Sequence, residues 1–270
     1  PGFVDAHSHI GLDGYGEPGV DYNEMNDICC PQLRAIDGID PMDESFVYAR
    51  NAGVTCVCTG PGSANVLGGT FTAIKTAGKR IDDMVVKQAA AMKCAFGENP
   101  KRCYKSKCDS SRMTTAAILR EALMKARLYM QKKEAAGDDV SKQPAFDMKL
   151  EALIPVLRGE IPLKAHAHRA DDILTAIRIA KEFDLDITLD HVTEGHLIVD
   201  HLVKAGKPVL VGPSFGSKTK VELREKSFAT PGILDNAGLV VCIITDAPVI
   251  PLYYLPLCAG LAVKAGMKEE

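Results

Sequence analysis

Gly2-Phe3-Val4-Asp5-Ala6-His7-Ser8-His9-Ile10 is an apolar, strand-prone run that closes on two histidines separated by one residue. Side chains two apart on a strand face the same side, so both imidazoles enter one space and are able to share one cation. Working outward from this run, short β-rich stretches ending in polar or glycine residues recur at 54–59, 91–96, 161–168, 186–192, 208–212 and 239–245. Most are separated by segments of helical periodicity, the pattern of βα units around a parallel sheet. Seven or eight strands in this length fit an α/β fold of the (β/α)8 TIM-like barrel type better than an open doubly wound sheet, which is the alternative.

The helical segments carry their own punctuation. Asp40 is placed to cap a helix, Pro41 suits its first turn, and Gly53 suits a left-handed stop before the second strand. Another helix starts near Asp171 and sets Ile173, Ile177 and Ala180 on one face. Leu119, Ala122, Leu123, Ala126 and Met130 form a similar stripe on a long helix and read as packing. The stretch 132–149 is polar and poor in apolar residues, and reads as an exposed loop or insertion.

Composition bounds the class of protein. With 270 residues, 46% hydrophobic, 25% charged and a net charge of −3, the chain reads as a soluble, enzyme-sized body. The mildly acidic balance argues against a broad electrostatic grip on nucleic acid or an anionic membrane. No apolar stretch approaches the roughly 20 residues that span a bilayer, and no signal-type segment opens the chain, so a cytoplasmic location is expected. Nine scattered cysteines favour reduced, mostly buried thiols over a disulfide framework. Cys103 and Cys108 share a lysine-rich loop, but no second spaced pair accompanies them to make a zinc knuckle.

In a barrel, chemistry-bearing groups project from the carboxyl ends of the strands. His7 and His9 end the first strand, His166 ends Leu163-Lys164-Ala165-His166, His191 ends Thr188-Leu189-Asp190-His191, and Asp246 follows Val240-Val241-Cys242-Ile243-Ile244-Thr245. Five metal-competent side chains are thus expected at one rim. Imidazole and carboxylate donors suit Zn2+ and also Fe2+, Mn2+ or Ni2+. A metal there lowers the pKa of a bound water and offers hydroxide to a planar carbonyl. Asp246 is the expected general base, relaying the water's proton to a departing nitrogen. His168, on the same face as His166, and His196, in the loop after His191, are the histidines left to polarise a carbonyl. His201 falls on the following helix and receives no role.

Phe3-Val4-Asp5-Ala6-His7-Ser8-His9, then Lys164-Ala165-His166-Ala167-His168, Asp190-His191 and Thr245-Asp246-Ala247-Pro248, in that order, resemble the metal-dependent amidohydrolase superfamily near its imidazolonepropionase-like and Xaa-Pro-dipeptidase-like branch. The resemblance covers essentially the whole chain. It implies a distorted barrel with one or two metal ions, zinc first among them, held by His7, His9, His166, His191 and Asp246. It also implies a small β-sandwich domain from flanking segments, so the chain is expected to be a single catalytic barrel, residues 1–270, truncated at both ends. Many members bridge two metals through a carboxylated lysine or a glutamate. Lys93 and Glu98 both qualify here, with Lys164 a weaker third, and the sequence does not choose between them.

The leading expectation is a metal-dependent hydrolase of a small-molecule C–N bond, such as a cyclic amide, an N-acyl amino acid or a dipeptide. A ring deaminase on the same site and a catalytically silent binding module are the alternatives. The glycine-rich loop 60–69 is expected at the same rim, as a substrate-facing turn or a plain one. The basic run Lys101, Arg102, Lys105 and Lys107 reads as a solvated face more than an anion collector. Neither a nucleic-acid nor a membrane partner is expected, and the oligomeric state, a homo-oligomer included, is left open.

Overall fold

Eight strands form one sheet whose spatial order follows the chain, β1 (Phe3–Ser8), β2 (Val54–Thr59), β3 (Leu67–Lys75), β4 (Val85–Ala95), β5 (Leu163–Ala167), β6 (Ile187–His191), β7 (Val209–Val211) and β8 (Val241–Ile243). The computed structural model describes residues 2–14, 20–106 and 110–269. Lys107 and Cys108, which entered the reading of the sequence, lie outside the described residues. Just past β8, a parallel bridge between Ser8 and Ala247 brings the last strand back to the first, and the His9 amide donates to the Ala247 carbonyl at 2.7 Å. The sheet is a nearly closed TIM-like (β/α)8 barrel.

One strand breaks the regular alternation. β3 runs antiparallel to both β2 and β4, while every other pairing is parallel. The glycine-rich segment after β2 is therefore the turn of a hairpin and not the start of a helix-bearing crossover. Its last residues, Leu67, Gly68 and Gly69, already belong to β3. Two glycines in Leu67-Gly68-Gly69 mask a strand in the sequence, because glycine weakens the pattern a strand is read by. β4 also begins earlier than its apolar run, at Val85.

Alternation sorts the side chains into two layers. Leu163, Ala165 and Ala167 of β5 and Ile187 and Leu189 of β6 face outward into the larger apolar core. There they meet Leu119, Leu123 and Ala126 of the helix Arg112–Ala136 and Ile173, Ala176 and Ile179 of the helix Ala170–Phe183. A second core packs Phe46 and Ala49 of the helix Glu44–Asn51 against Val54, Val57 and Ile74. The opposite faces of the same strands point into the barrel and carry Asp5, His7, Lys93, Lys164, His166 and Asp190, all buried. Among the described residues no helix is long and apolar enough to cross a membrane.

Two expectations about helices need correction. The helix before β2 starts at Glu44 and is capped by Asp43, whose Oδ1 accepts from the Ser45 amide at 2.7 Å. Asp40 instead accepts from the Met42 amide within the preceding turn. Asp43 prevails because its second oxygen also accepts from the Gly11 amide at 3.0 Å, tying the cap to the segment after β1. Gly53, with φ of 83°, provides the expected left-handed stop. The polar stretch 132–149 is only partly loop, since the helix Arg112–Ala136 runs into it and another begins at Met148. Tyr129 and Lys133 both donate to Glu151 on that next helix, which holds the last turn in place despite its polarity.

The relocated cap gives a direct check. Asp43→Ala is expected to lower unfolding free energy by about 1–2 kcal/mol in urea denaturation, whereas Asp40→Ala stays within about 0.5 kcal/mol of the parent. The reverse ranking would return the cap to Asp40.

Candidate metal centre

The strand ends bring six donors to one mouth of the barrel. His7, His9 and Asp246 form one group and His166, His168 and His191 another, with the ligand atoms of each group within 4.8 Å of one another. The groups adjoin through His191, whose ring centroid lies 5.2 Å from that of His7 and 4.4 Å from that of His166. The five residues expected at one rim are all there, and His168 joins them as a sixth.

Strict alternation does not produce this arrangement. In β6, Asp190 faces the barrel interior, so its neighbour His191 should face the helices alongside Leu189. The backbone at His191 instead takes φ of 73°, followed by 48° at Val192. This left-handed turn swings the imidazole into the mouth. Asp246 is delivered the same way, with φ of 57°. Left-handed conformations at residues other than glycine are strained and concentrate at functional sites.

Hydrogen bonds fix which nitrogen each ring presents. His9 Nδ1 lies 2.7 Å from the Gly60 carbonyl and His191 Nδ1 lies 2.7 Å from the Gly212 carbonyl. Carbonyl oxygens only accept, so Nδ1 carries the proton in both rings and Nε2 keeps its lone pair. His168 Nδ1 pairs with Thr193 Oγ1 at 2.7 Å. His7 Nδ1 lies 3.0 Å from Asp190 Oδ2 while its Nε2 lies 3.1 Å from Asp246 Oδ1. His9 Nε2 lies 3.3 Å from that same oxygen. Lone pairs crowded about one carboxylate oxygen repel unless a cation sits among them. Neither ring nitrogen of the buried His166 has a hydrogen-bond partner among the described residues, a costly state for a buried polar group. The donor set and its orientation by outer partners fit a divalent metal.

Beneath the mouth lies a charged floor. Asp190, fully buried, takes His7 Nδ1 on Oδ2, Lys164 Nζ on Oδ1 at 3.0 Å and Lys93 Nζ near Oδ2 at 3.5 Å. Both ammonium groups also stand over the Phe71 ring, at 5.5 and 5.4 Å from its centroid. Burial opposes charge on Asp190, but Lys164, His7 and Lys93 together hold its pKa well below the usual carboxylate range. Asp246 is likewise held low: burial works against its charge, and the neighbouring His191, with His7 and His9 beside it, overcomes it. Burial pushes His166 and His168 well below the ordinary imidazole value and His191 down to about 3.

The remaining expected residues fall outside both donor groups. Lys93 is on the floor, bound to Asp190. Glu98 opens the helix Glu98–Cys103 and lines a separate cavity with Lys101, Arg102 and Lys105. His196 turns away toward Thr230, whose Oγ1 is 3.1 Å from its Nδ1. The loop from Gly60 contributes the carbonyl that orients His9. The eight cysteines among the described residues are free thiols. Sequence reasoning missed Phe71, hidden in the unrecognised β3, and Glu222, whose buried carboxylate lies 3.9 Å from His166 Nε2 and 3.8 Å from His168 Nε2. Beside the mouth, a cavity of about 650 Å³ is lined by Leu12, Tyr22, Asn23, Gln32 and Pro61. Tyr22 is the shared wall, its ring 5.4 Å from that of His9.

The fold has counterparts among known proteins. The crystal structure of an amidohydrolase from Thermotoga maritima MSB8 matches with a TM-score of 0.96 at 42% sequence identity, over 100% of this chain and 71% of that one. Amidohydrolase tasK of Hapsidospora irregularis is 28% identical over 297 aligned residues. That alignment covers 98% of this chain but only 30% of the curated relative's length. No family model matches the chain.

The buried imidazoles set the acid stability of metal-free protein. His191 stays neutral in the fold down to about 3, whereas an imidazole in the unfolded chain takes a proton near 6.5. Unfolding therefore binds a proton across that window, so this contribution is full above 6.5 and is lost toward 3 by about 1.4 kcal/mol per pH unit. Burial raises Asp5 to about 8, which acts oppositely: its contribution is full below 3.8 and lost by about 8. His166 and His168 add to His191 and outweigh it. Chelator-treated protein is expected to melt at a lower temperature at pH 4.5 than at pH 6.5; an equal or higher melting temperature at pH 4.5 would contradict neutral buried imidazoles.

Proposed function

The chain belongs to the amidohydrolase family, and from that membership we propose that it hydrolyses the C–N bond of a small amide, a cyclic amide, an N-acyl amino acid or a dipeptide, at the mouth of the barrel. The observation that carries the reading is the convergence of His7, His9 and Asp246 with His166, His168 and His191 as two adjoining donor groups at one mouth of the barrel. These residues would hold one or two divalent ions, with Zn2+ suited to the imidazole-rich set. Such an ion supplies Lewis acidity that acidifies a water and polarises a carbonyl.

The chain's own groups do the rest. Asp246 is ionised, 15% exposed in its side chain, and turns Oδ1 to His7 and His9. Its other oxygen, Oδ2, accepts the proton of the attacking water and returns it to the departing nitrogen. Asp190 orients His7 through Nδ1, as the carbonyls of Gly60 and Gly212 orient His9 and His191. Of the two candidates for a bridging group, the geometry favours Lys93, whose Nζ lies within the barrel beside Asp190, over Glu98, which belongs to neither donor group and lines a separate cavity. The cavity against Tyr22 has the size of small-molecule sites, which fits a small-molecule substrate.

The test is hydrolysis of a panel of N-acyl amino acids, dipeptides and cyclic amides by protein loaded with Zn2+. Asp246→Asn is expected to lower kcat by about 10²–10⁴-fold, and a chelator is expected to abolish turnover that Zn2+ then restores. Unchanged turnover in Asp246→Asn, or after complete metal removal, would sink the reading.

A further inference from the structure

Glu222 lies on a short 3-10 turn, Val221–Leu223, between β7 and the helix Thr230–Asn236, and no part of the reading above uses it. Its side chain is fully buried. A buried carboxylate needs partners, and each oxygen of this one has one. Lys220 Nζ is 2.6 Å from Oε1, and the Glu98 amide donates to Oε2 at 3.0 Å. Lys220 is itself anchored by Asn99 Oδ1 at 2.9 Å, and Asn99 in turn donates to Ser63. A chain of polar contacts from three separate rim segments thus aims one carboxylate inward.

What it meets there are His166 and His168, two members of the second donor group. Oε1 is 3.9 Å from His166 Nε2 and 3.8 Å from His168 Nε2, too far for hydrogen bonds. Donors bound at about 2.0–2.1 Å around a tetrahedral ion stand about 3.4 Å apart. The two observed edges exceed that by about 0.4 and 0.5 Å, within reach of small side-chain movement. The backbone at Gly97 lies close against this carboxylate. A Cβ built on Gly97 would sit 2.6 Å from Glu222 Oε2, and Gly97 has φ of 79°, a conformation open to glycine.

We propose that Glu222 is the fourth donor of a metal site completed by His166, His168 and His191, distinct from the site of His7, His9 and Asp246. The inference rests on the reading that the mouth binds divalent metal. Three imidazoles and one carboxylate are donors suited to a Zn2+-class ion. Lys220 and the Glu98 amide act as the outer partners that aim the carboxylate, the role that orienting groups play at metal sites.

Co2+ titration of the chelator-treated protein, followed by visible d–d absorption and by equilibrium dialysis, tests this without any assay of turnover. Wild type is expected to take two equivalents. Glu222→Gln should weaken one of them by about 100-fold or more and alter its absorption band, while His9→Ala should spare that equivalent and weaken the other. Glu222→Asp keeps the charge opposite Lys220 and draws the carboxylate back by one methylene; it should weaken the same equivalent, which covers the case of a misfolded Gln variant. Loss of an orienting partner alone costs about 10–100-fold and leaves the donor set unchanged. An unaltered band in Glu222→Gln, or affinity within about tenfold of wild type, overturns the assignment. A single equivalent in wild type also overturns it and leaves the proposed function standing, whereas no bound metal removes both.

Discussion

One buried carboxylate, Asp190, stands between two ammonium groups and a histidine in the interior of the barrel. Burying charge is expensive, and an ion pair inside a protein holds only when its geometry satisfies each partner. Here a single aspartate answers Lys93 and Lys164 while also fixing His7 through Nδ1. Phe71 closes the arrangement from β3, lending its ring face to both lysines and packing against His7 at 5.3 Å. The floor and the mouth are therefore one electrostatic unit. What stabilises the charged interior also selects the ring nitrogen that His7 turns outward.

The mouth is built on a second constraint, the conversion of strand ends into inward-facing donors. A strand can offer only alternate residues to one face. β1 meets that rule with His7 and His9, and β5 meets it with His166 and His168. β6 does not, since Asp190 already uses the inward position. The left-handed backbone at His191 gives the barrel two consecutive functional residues from one strand, one for the floor and one for the mouth. Asp246 is delivered by the same device after β8. Outer partners then hold each ring: the Gly60 and Gly212 carbonyls, Thr193 and Asp190.

Much of this was legible in the chain. The five rim residues could be found because each terminates an apolar run, and a run that ends in a metal-competent side chain has few structural reasons to do so repeatedly. The outward faces of β5 and β6 and the stripe on the helix Arg112–Ala136 were legible through periodicity alone. β3 was not, because Gly68 and Gly69 interrupt its pattern, and Phe71 was lost with it. Asp43 was passed over as a cap for Asp40 because Asp40-Pro41 carries the stronger local signal, while the Gly11 amide that favours Asp43 is remote in sequence. Glu222 left no signal of its own: Lys-Val-Glu-Leu in a polar segment resembles any solvated turn.

The sequence by itself determined which side chains reach the carboxyl ends of the strands, since hydrophobic periodicity dictates strands and helices and strand geometry dictates facing. It thereby determined the barrel and a histidine-rich rim. Only the tertiary structure decided how those residues divide into two donor groups, that Lys93 lies within and Glu98 without, and that Glu222 approaches His166 and His168. Those choices depend on contacts between residues remote in sequence, such as His7 with Asp246 and the Glu98 amide with Glu222, and on backbone turns at single residues. Neither is encoded in a local pattern: closing the barrel sets the distances, and distance governs both charge pairing and coordination.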